Sequence, residues 1–106
     1  MVIVTLRLKV SPKKRWDVMK TIHALTGPTS VQSGCLHCAC YSNTQNDDEL
    51  FLLERWKTNK DLEKHIRSDE FKKILAAMEA VTTPPEISFY ETDSIKGIEV
   101  VEDILS

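Results

Sequence analysis

Val2, Val4, Leu6, Leu8 and Val10 alternate with Ile3, Thr5, Arg7 and Lys9, which predicts a strand with one fully apolar face and one mixed face. Ser11-Pro12 then reads as a helix N-cap followed by a proline at the first helical position, where its missing N–H costs nothing. The helix that follows should bury Val18, Met19, Ile22 and Leu25, and Gly27-Pro28 should stop it, leaving Thr29 to Ser33 for a further short turn. Gly34 opens a second strand, Cys35 to Ser42, with Leu36, Cys38 and Cys40 on one face and Cys35, His37, Ala39 and Tyr41 on the other. A polar turn from Asn43 to Asp48 returns the chain antiparallel into a third strand, Glu49 to Trp56. Thr58 with Asp61 three residues on resembles a capping box and starts a helix from Asn59 to Arg67. Leu62 and Ile66 form its buried stripe, with His65 at the edge of that stripe. Ser68 caps another helix, Asp69 to about Val81, with Phe71, Ile74, Leu75 and Met78 inward. A breaker at Thr82 to Pro85 leads to a fourth strand in which Ile87, Phe89 and Glu91 alternate with Ser88, Tyr90 and Thr92.

The order βαββαβ is that of an α+β, ferredoxin-like domain: one antiparallel sheet with its helices on one face only. A mostly apolar sheet face cannot stay in water, so a homodimer with the two sheets packed face to face is expected. The tail, residues 97–105, has the β-branched alternation of an edge strand, for its own sheet or for the partner's.

Composition narrows the functional classes. The 106 residues make a single domain, its core at about residues 2–93, and a domain of this size buries only about two thirds of its unfolded surface. With 42% hydrophobic and 28% charged residues and no apolar run near the ~20 residues needed to cross a bilayer, membrane insertion is excluded. The start, Met-Val-Ile-Val-Thr-Leu, lacks the basic region of a signal peptide, and three cysteines cannot all pair, so a reducing, cytoplasmic setting is expected. Net charge is -2 and the basic residues are interleaved with acids, which disfavours nucleic acid as a partner.

Candidate chemistry gathers between Phe51 and Phe71. His65 can serve as a general base, because imidazole exchanges its proton near neutral pH; the plain alternative is a histidine that caps or packs a helix end. Trp56 and Phe71 can wall an aromatic pocket or belong to the core. Glu54 and Tyr90 are strand polar groups that either bond a ligand or lie on a solvent or dimer face. Cys35-x-x-Cys38-x-Cys40 with His37 invites a zinc reading, but strand alternation sets Cys35 and Cys38 on opposite faces and no second ligand pair follows, so no metal is expected. Cys38 is then a small core residue and a candidate pocket wall.

The element order, together with Gly34-Cys-Leu, Glu54-Arg-Trp56, Leu62-x-x-His65 and Ser68-x-x-Phe71, resembles the antibiotic biosynthesis monooxygenase family of dimeric α+β barrel proteins, from about Val2 to Glu91. The family includes oxygenases of quinols and polycyclic phenols that need no cofactor, heme-degrading enzymes, isomerases, and proteins with no known reaction. The heme-degrading branch carries an asparagine on the first strand, a tryptophan about where His65 stands and an axial histidine about where Leu75 stands; none is present here, which argues against heme. The resemblance implies a cofactor-independent monooxygenase acting on a small aromatic or quinol-type molecule. His65 would be its base in a pocket between sheet and helices, and Trp56, Phe71, Cys38, Glu54 and Tyr90 would contact the substrate. The alternative is a small-molecule binding or isomerising protein of the same fold without oxygen chemistry, and a third reading is a dimeric protein without catalysis.

Overall fold

The computed structural model describes every residue except Thr82. Its elements are β1 (Val2–Lys9), α1 (Pro12–Ser30), β2 (Cys35–Asn43), β3 (Asn46–Trp56), α2 (Asn59–Ile66), α3 (Asp69–Glu79), β4 (Glu86–Glu91) and α4 (Glu99–Leu105). The four strands form one antiparallel sheet in the order β2-β3-β1-β4, the ferredoxin-like α+β arrangement expected from the element order. The breaker expected at Thr82 to Pro85 begins at Thr82, outside the described residues; Thr83 to Pro85 are in neither helix nor strand.

Strand alternation builds the core. Val2, Val4, Leu6 and Leu8 of β1 and Leu50, Leu52 and Trp56 of β3 are buried beneath α1, α2 and α3, joined by Val18, Ile22 and Leu25 of α1 and Phe71, Ile74 and Ala77 of α3. The opposite face carries Ile3, Thr5, Ala39, Phe51 and Leu53, which no helix among the described residues covers and which are half-buried. Exposed Tyr41 packs there against Phe51.

Four expectations are corrected. Helix α1 runs through Gly27-Pro28 to Ser30 instead of stopping there. Pro28 cannot donate, but its fixed φ suits a helix, Thr26 Oγ1 donates to the His23 carbonyl and Ser30 Oγ to that of Thr26, and the buried Thr29 anchors the last turn. The β2–β3 turn is the two residues Thr44 and Gln45, since both strands extend further than expected. On α2 the inward residues are Leu62 and His65, while Ile66 is exposed; on α3 Leu75 is likewise exposed and Ala77 takes the inward place. The tail is a helix, α4, rather than an edge strand. A strand needs a neighbour to bond, whereas Val100 N–H to Gly97 and Glu102 N–H to Ile98 close locally, and Glu99 and Glu102 in the first turn complement the helix dipole.

Candidate functional site

The third strand delivers two side chains to the helix-covered face. Glu54 and Trp56 are two residues apart on β3 and both are fully buried, and Trp56 Nε1–H donates to Glu54 Oε1 at 2.9 Å. Val4 and Cys38 flank Glu54 on the neighbouring strands, so its carboxylate sits in a mostly apolar row. Burying an ionisable group in such surroundings is costly unless a partner meets it.

His65 is that partner. Thr58 caps α2 by accepting from the Asp61 N–H at 3.1 Å, and Ser68 caps α3 by accepting from Phe71 N–H at 3.3 Å while donating to the His65 carbonyl at 2.6 Å. These caps fix the α2–α3 corner and drive the His65 ring inward, between Trp56, stacked at a centroid distance of 4.5 Å and 25°, and Phe71, edge-on at 5.4 Å and 71°. His65 Nε2 lies 3.3 Å from Glu54 Oε1. That is an ion-pair distance without hydrogen-bond alignment, and Nε2 makes no hydrogen bond among the described residues. Nδ1 stands 2.7 Å from Gln32 Oε1, and Gln32 Nε2 donates to Glu70 Oε2 at 3.1 Å.

Gly34 brings Gln32 into reach. Its φ of 81° turns the chain sharply between α1 and β2, and its carbonyl accepts from Lys57 N–H at 2.8 Å, tying this loop to the end of β3. A Cβ at Gly34 would come within 2.1 Å of the Asp61 carboxyl, so only glycine allows the loop to lie against the start of α2. Gln32, Ser33, Asp61, Lys64, His65 and Ser68 line a cleft of ≈ 270 Å³ at this junction. A second cleft of ≈ 270 Å³, between α1 and β2, is walled by residues that include Met19, His23, Cys38 and Cys40.

The structure gathers His65, Trp56, Phe71 and Glu54 into one cluster, with Cys38 opposite Glu54 on the next strand. Tyr90 is not among them: it pairs with Ile3 on the open face and is exposed. His65 is not at the edge of its stripe but wholly enclosed. The cysteine geometry also differs from simple alternation. The β2–β3 register shifts between Cys35 and His37, which places Cys35 opposite Trp56, Cys38 opposite Glu54 and Cys40 opposite Leu52, so all three thiols share the covered face. Burial raises each thiol's pKa, with Glu54 a further cause for Cys35 and Cys38, and Cys38 is pushed up to about 12. They are protonated at neutral pH, a poor state for metal binding or nucleophilic attack. Among the described residues no group of three or more His, Cys, Asp or Glu is placed to hold a metal ion.

Gln32 and Glu70 escaped the sequence reading, since neither stands in a motif; the spacing Ser68-x-x-Phe71, which sets where α3 begins, is the only local signal near Glu70.

The model of the antibiotic biosynthesis monooxygenase family matches residues 1–77. The chain belongs to this family. A conserved protein of Methanosarcina mazei Go1 is 31% identical, with 87% of this chain and 92% of that one covered and a TM-score of 0.79. An inferred antibiotic biosynthesis monooxygenase of Deinococcus radiodurans superimposes with a TM-score of 0.85 at 18% identity, over 92% and 98% of the two chains. A Mycobacterium tuberculosis protein does so at 0.81 and 23% identity, over 91% and 98%. The last two likenesses speak to the fold alone. No curated protein matches this member of the family.

Proposed function

We propose that this family member is a cofactor-independent monooxygenase of a small aromatic or quinol-type molecule, with His65 as the group that takes the substrate's proton. The observation that carries this reading is the buried Glu54–His65 pair between two aromatic rings, beside a cleft lined by His65 itself. A buried ion pair contributes little net stability and often less than apolar packing, so an ionisable pair here is better explained by chemistry than by the core.

The chemistry balances without a cofactor. The substrate loses a proton to His65, and the resulting electron-rich carbon gives its electrons to dioxygen, forming a C–O bond and a peroxide. The proton returns to the outer oxygen; the hydrogen remaining on that carbon then leaves as a proton, its bonding pair forms the C=O group, and the O–O bond breaks to release hydroxide, the two leaving as water. One carbon is oxidised, dioxygen is reduced, and the protein is unchanged. A positioned base contributes roughly 10²–10⁴ to such a deprotonation.

The uncovered sheet face supports a homodimer, because Ile3, Thr5, Ala39, Phe51 and Leu53 form a continuous non-ionic patch that a second copy would bury. Three free thiols fit a reducing, cytoplasmic setting. Oxygen uptake measured against a panel of quinols and naphthols tests the enzyme reading: one of them should drive uptake that His65→Gln abolishes. Turnover of an enolisable compound without oxygen uptake would favour the isomerising alternative. Sedimentation tests the dimer, and a monomer at micromolar concentration would refute it.

A further inference from the structure

Glu70, Gln32, His65, Glu54 and Trp56 form a continuous polar chain through the interior. Gln32 Nε2 donates to Glu70 Oε2 at 3.1 Å, Gln32 Oε1 stands 2.7 Å from His65 Nδ1, His65 Nε2 stands 3.3 Å from Glu54 Oε1, and Trp56 Nε1–H donates to that same oxygen at 2.9 Å. The direction of each bond follows from what each group can do. A carboxylate only accepts, so Glu70 takes the NH2 end of the Gln32 amide and turns its carbonyl oxygen toward His65. That oxygen also only accepts, so the hydrogen between Gln32 and His65 belongs to Nδ1.

The consequence falls on the other nitrogen. With Nδ1–H fixed, a neutral ring presents a bare lone pair at Nε2 to a carboxylate oxygen, and the two side chains have 0% and 2% exposure. Two buried acceptors facing each other repel, and one proton between them turns the repulsion into the attraction of an ion pair. This accounts for the only unpaired polar atom of the ring among the described residues, Nε2. We propose that Gln32 and Glu70 are positioning residues that hold His65 in its Nδ1–H form, so that the lone pair of the neutral ring is at Nε2, facing Glu54.

The charged and titratable neighbours come from every element around it. Glu54 faces the ring from β3, Cys35 and Cys38 stand beside Glu54 on β2, Glu70 is on α3 behind Gln32, and Asp61 and Lys64 line the cleft from α2. None of them reaches Nδ1, whose partner is Gln32. The bearing of this arrangement on rate rests on the proton-transfer reading of His65; the nitrogen assignment does not.

Two-bond 1H–15N spectra of the full chain labelled in its histidines read both ring nitrogens directly, with His23→Gln and His37→Gln used to single out the His65 ring. The wild-type Nδ1 should show a protonated-type shift. Gln32→Leu removes the acceptor, so the ring should turn to Nε2–H facing Glu54, and Nδ1 should take a bare-type shift. Glu70→Gln, at a partly exposed position that leaves the core intact, frees the Gln32 amide to turn over and should shift Nδ1 part of the way toward its bare value. A wild-type ring with bare Nδ1 and protonated Nε2, or a Glu70→Gln spectrum identical to wild type, overturns the proposal. If the wild-type ring reads Nδ1–H and no tested quinol drives oxygen uptake, the oxygenase reading alone falls.

Discussion

His65→Ala separates a surface base from an enclosed one. The histidine side chain has 0% exposure, stacks on Trp56 at 4.5 Å and meets Phe71 edge-on at 5.4 Å. Each aromatic contact contributes about 0.5–1.5 kcal/mol beyond the area it buries. Removing the ring also leaves Gln32 Oε1 without its donor and Glu54 without the imidazole beside it, and a buried polar group left unpaired costs about 1–3 kcal/mol. The combined loss is about 3–5 kcal/mol, within the range of large-to-small core substitutions. For a chain of 106 residues this lowers Tm by roughly 15–30 °C. His65→Gln keeps volume and can bond either Gln32 or Glu54, so about half of that loss is expected. Thermal and urea unfolding at fixed pH measure both variants. Near-UV circular dichroism reports the enclosed Trp56, because the second tryptophan, Trp16, is exposed. A His65→Ala protein within about 1 kcal/mol of wild type would refute the enclosure of the ring, since even one lost contact and one orphaned group exceed that.

The remaining predictions read other parts of the same junction. Gly34→Ala should cost about 2–3 kcal/mol, from the positive φ together with displacement of the Asp61 carboxyl from its cap, and Asp61→Gly in the same chain should recover the clash but not the φ strain; simple additivity in that double-mutant cycle would refute the contact. Leu62→Ala should cost about 2–4 kcal/mol while Ile66→Ser stays within about 1 kcal/mol, and equal losses in urea unfolding would show that Ile66 is also inward. Cys38 is a thiol in the folded chain up to a pKa of about 12 but ionises near 9 once unfolded, so its contribution to stability is full below pH 9 and is lost as pH rises toward 12. Cys38→Ala should flatten the alkaline limb of a stability-against-pH curve, and an unchanged limb would show that the thiol is not the group responsible.

Regular patterning made the scaffold legible, and local exceptions hid the site. The alternation of Val2 to Val10, the caps at Thr58 and Ser68 and the polar turn before Glu49 suffice for the element order, because each depends on neighbours in sequence, whereas the sheet order β2-β3-β1-β4 joins β1 to two strands distant from it in the chain. They also place Glu54 and Trp56 two apart on one face, His65 beside the apolar stripe of α2 and Phe71 at the first turn of α3, so all four members of the cluster could be named in advance. The rest depends on contacts between residues far apart. Leu62 and Ile66 fit an apolar stripe better than Leu62 and His65 do, and only the carboxylate arriving from β3 makes the polar ring the better inward residue. The one-residue slip at Leu36 reverses the side of Cys35, a change that no alternation rule detects, because a bulge is set by the partner strand's register. Gln32 reaches the ring from 33 residues away, across a turn that exists because Gly34 takes φ 81° against Asp61. The residues that determine which nitrogen of His65 holds a hydrogen are thus supplied by a loop and a helix face, while the sheet supplies the carboxylate, and the proton chemistry proposed here exists only where the three meet.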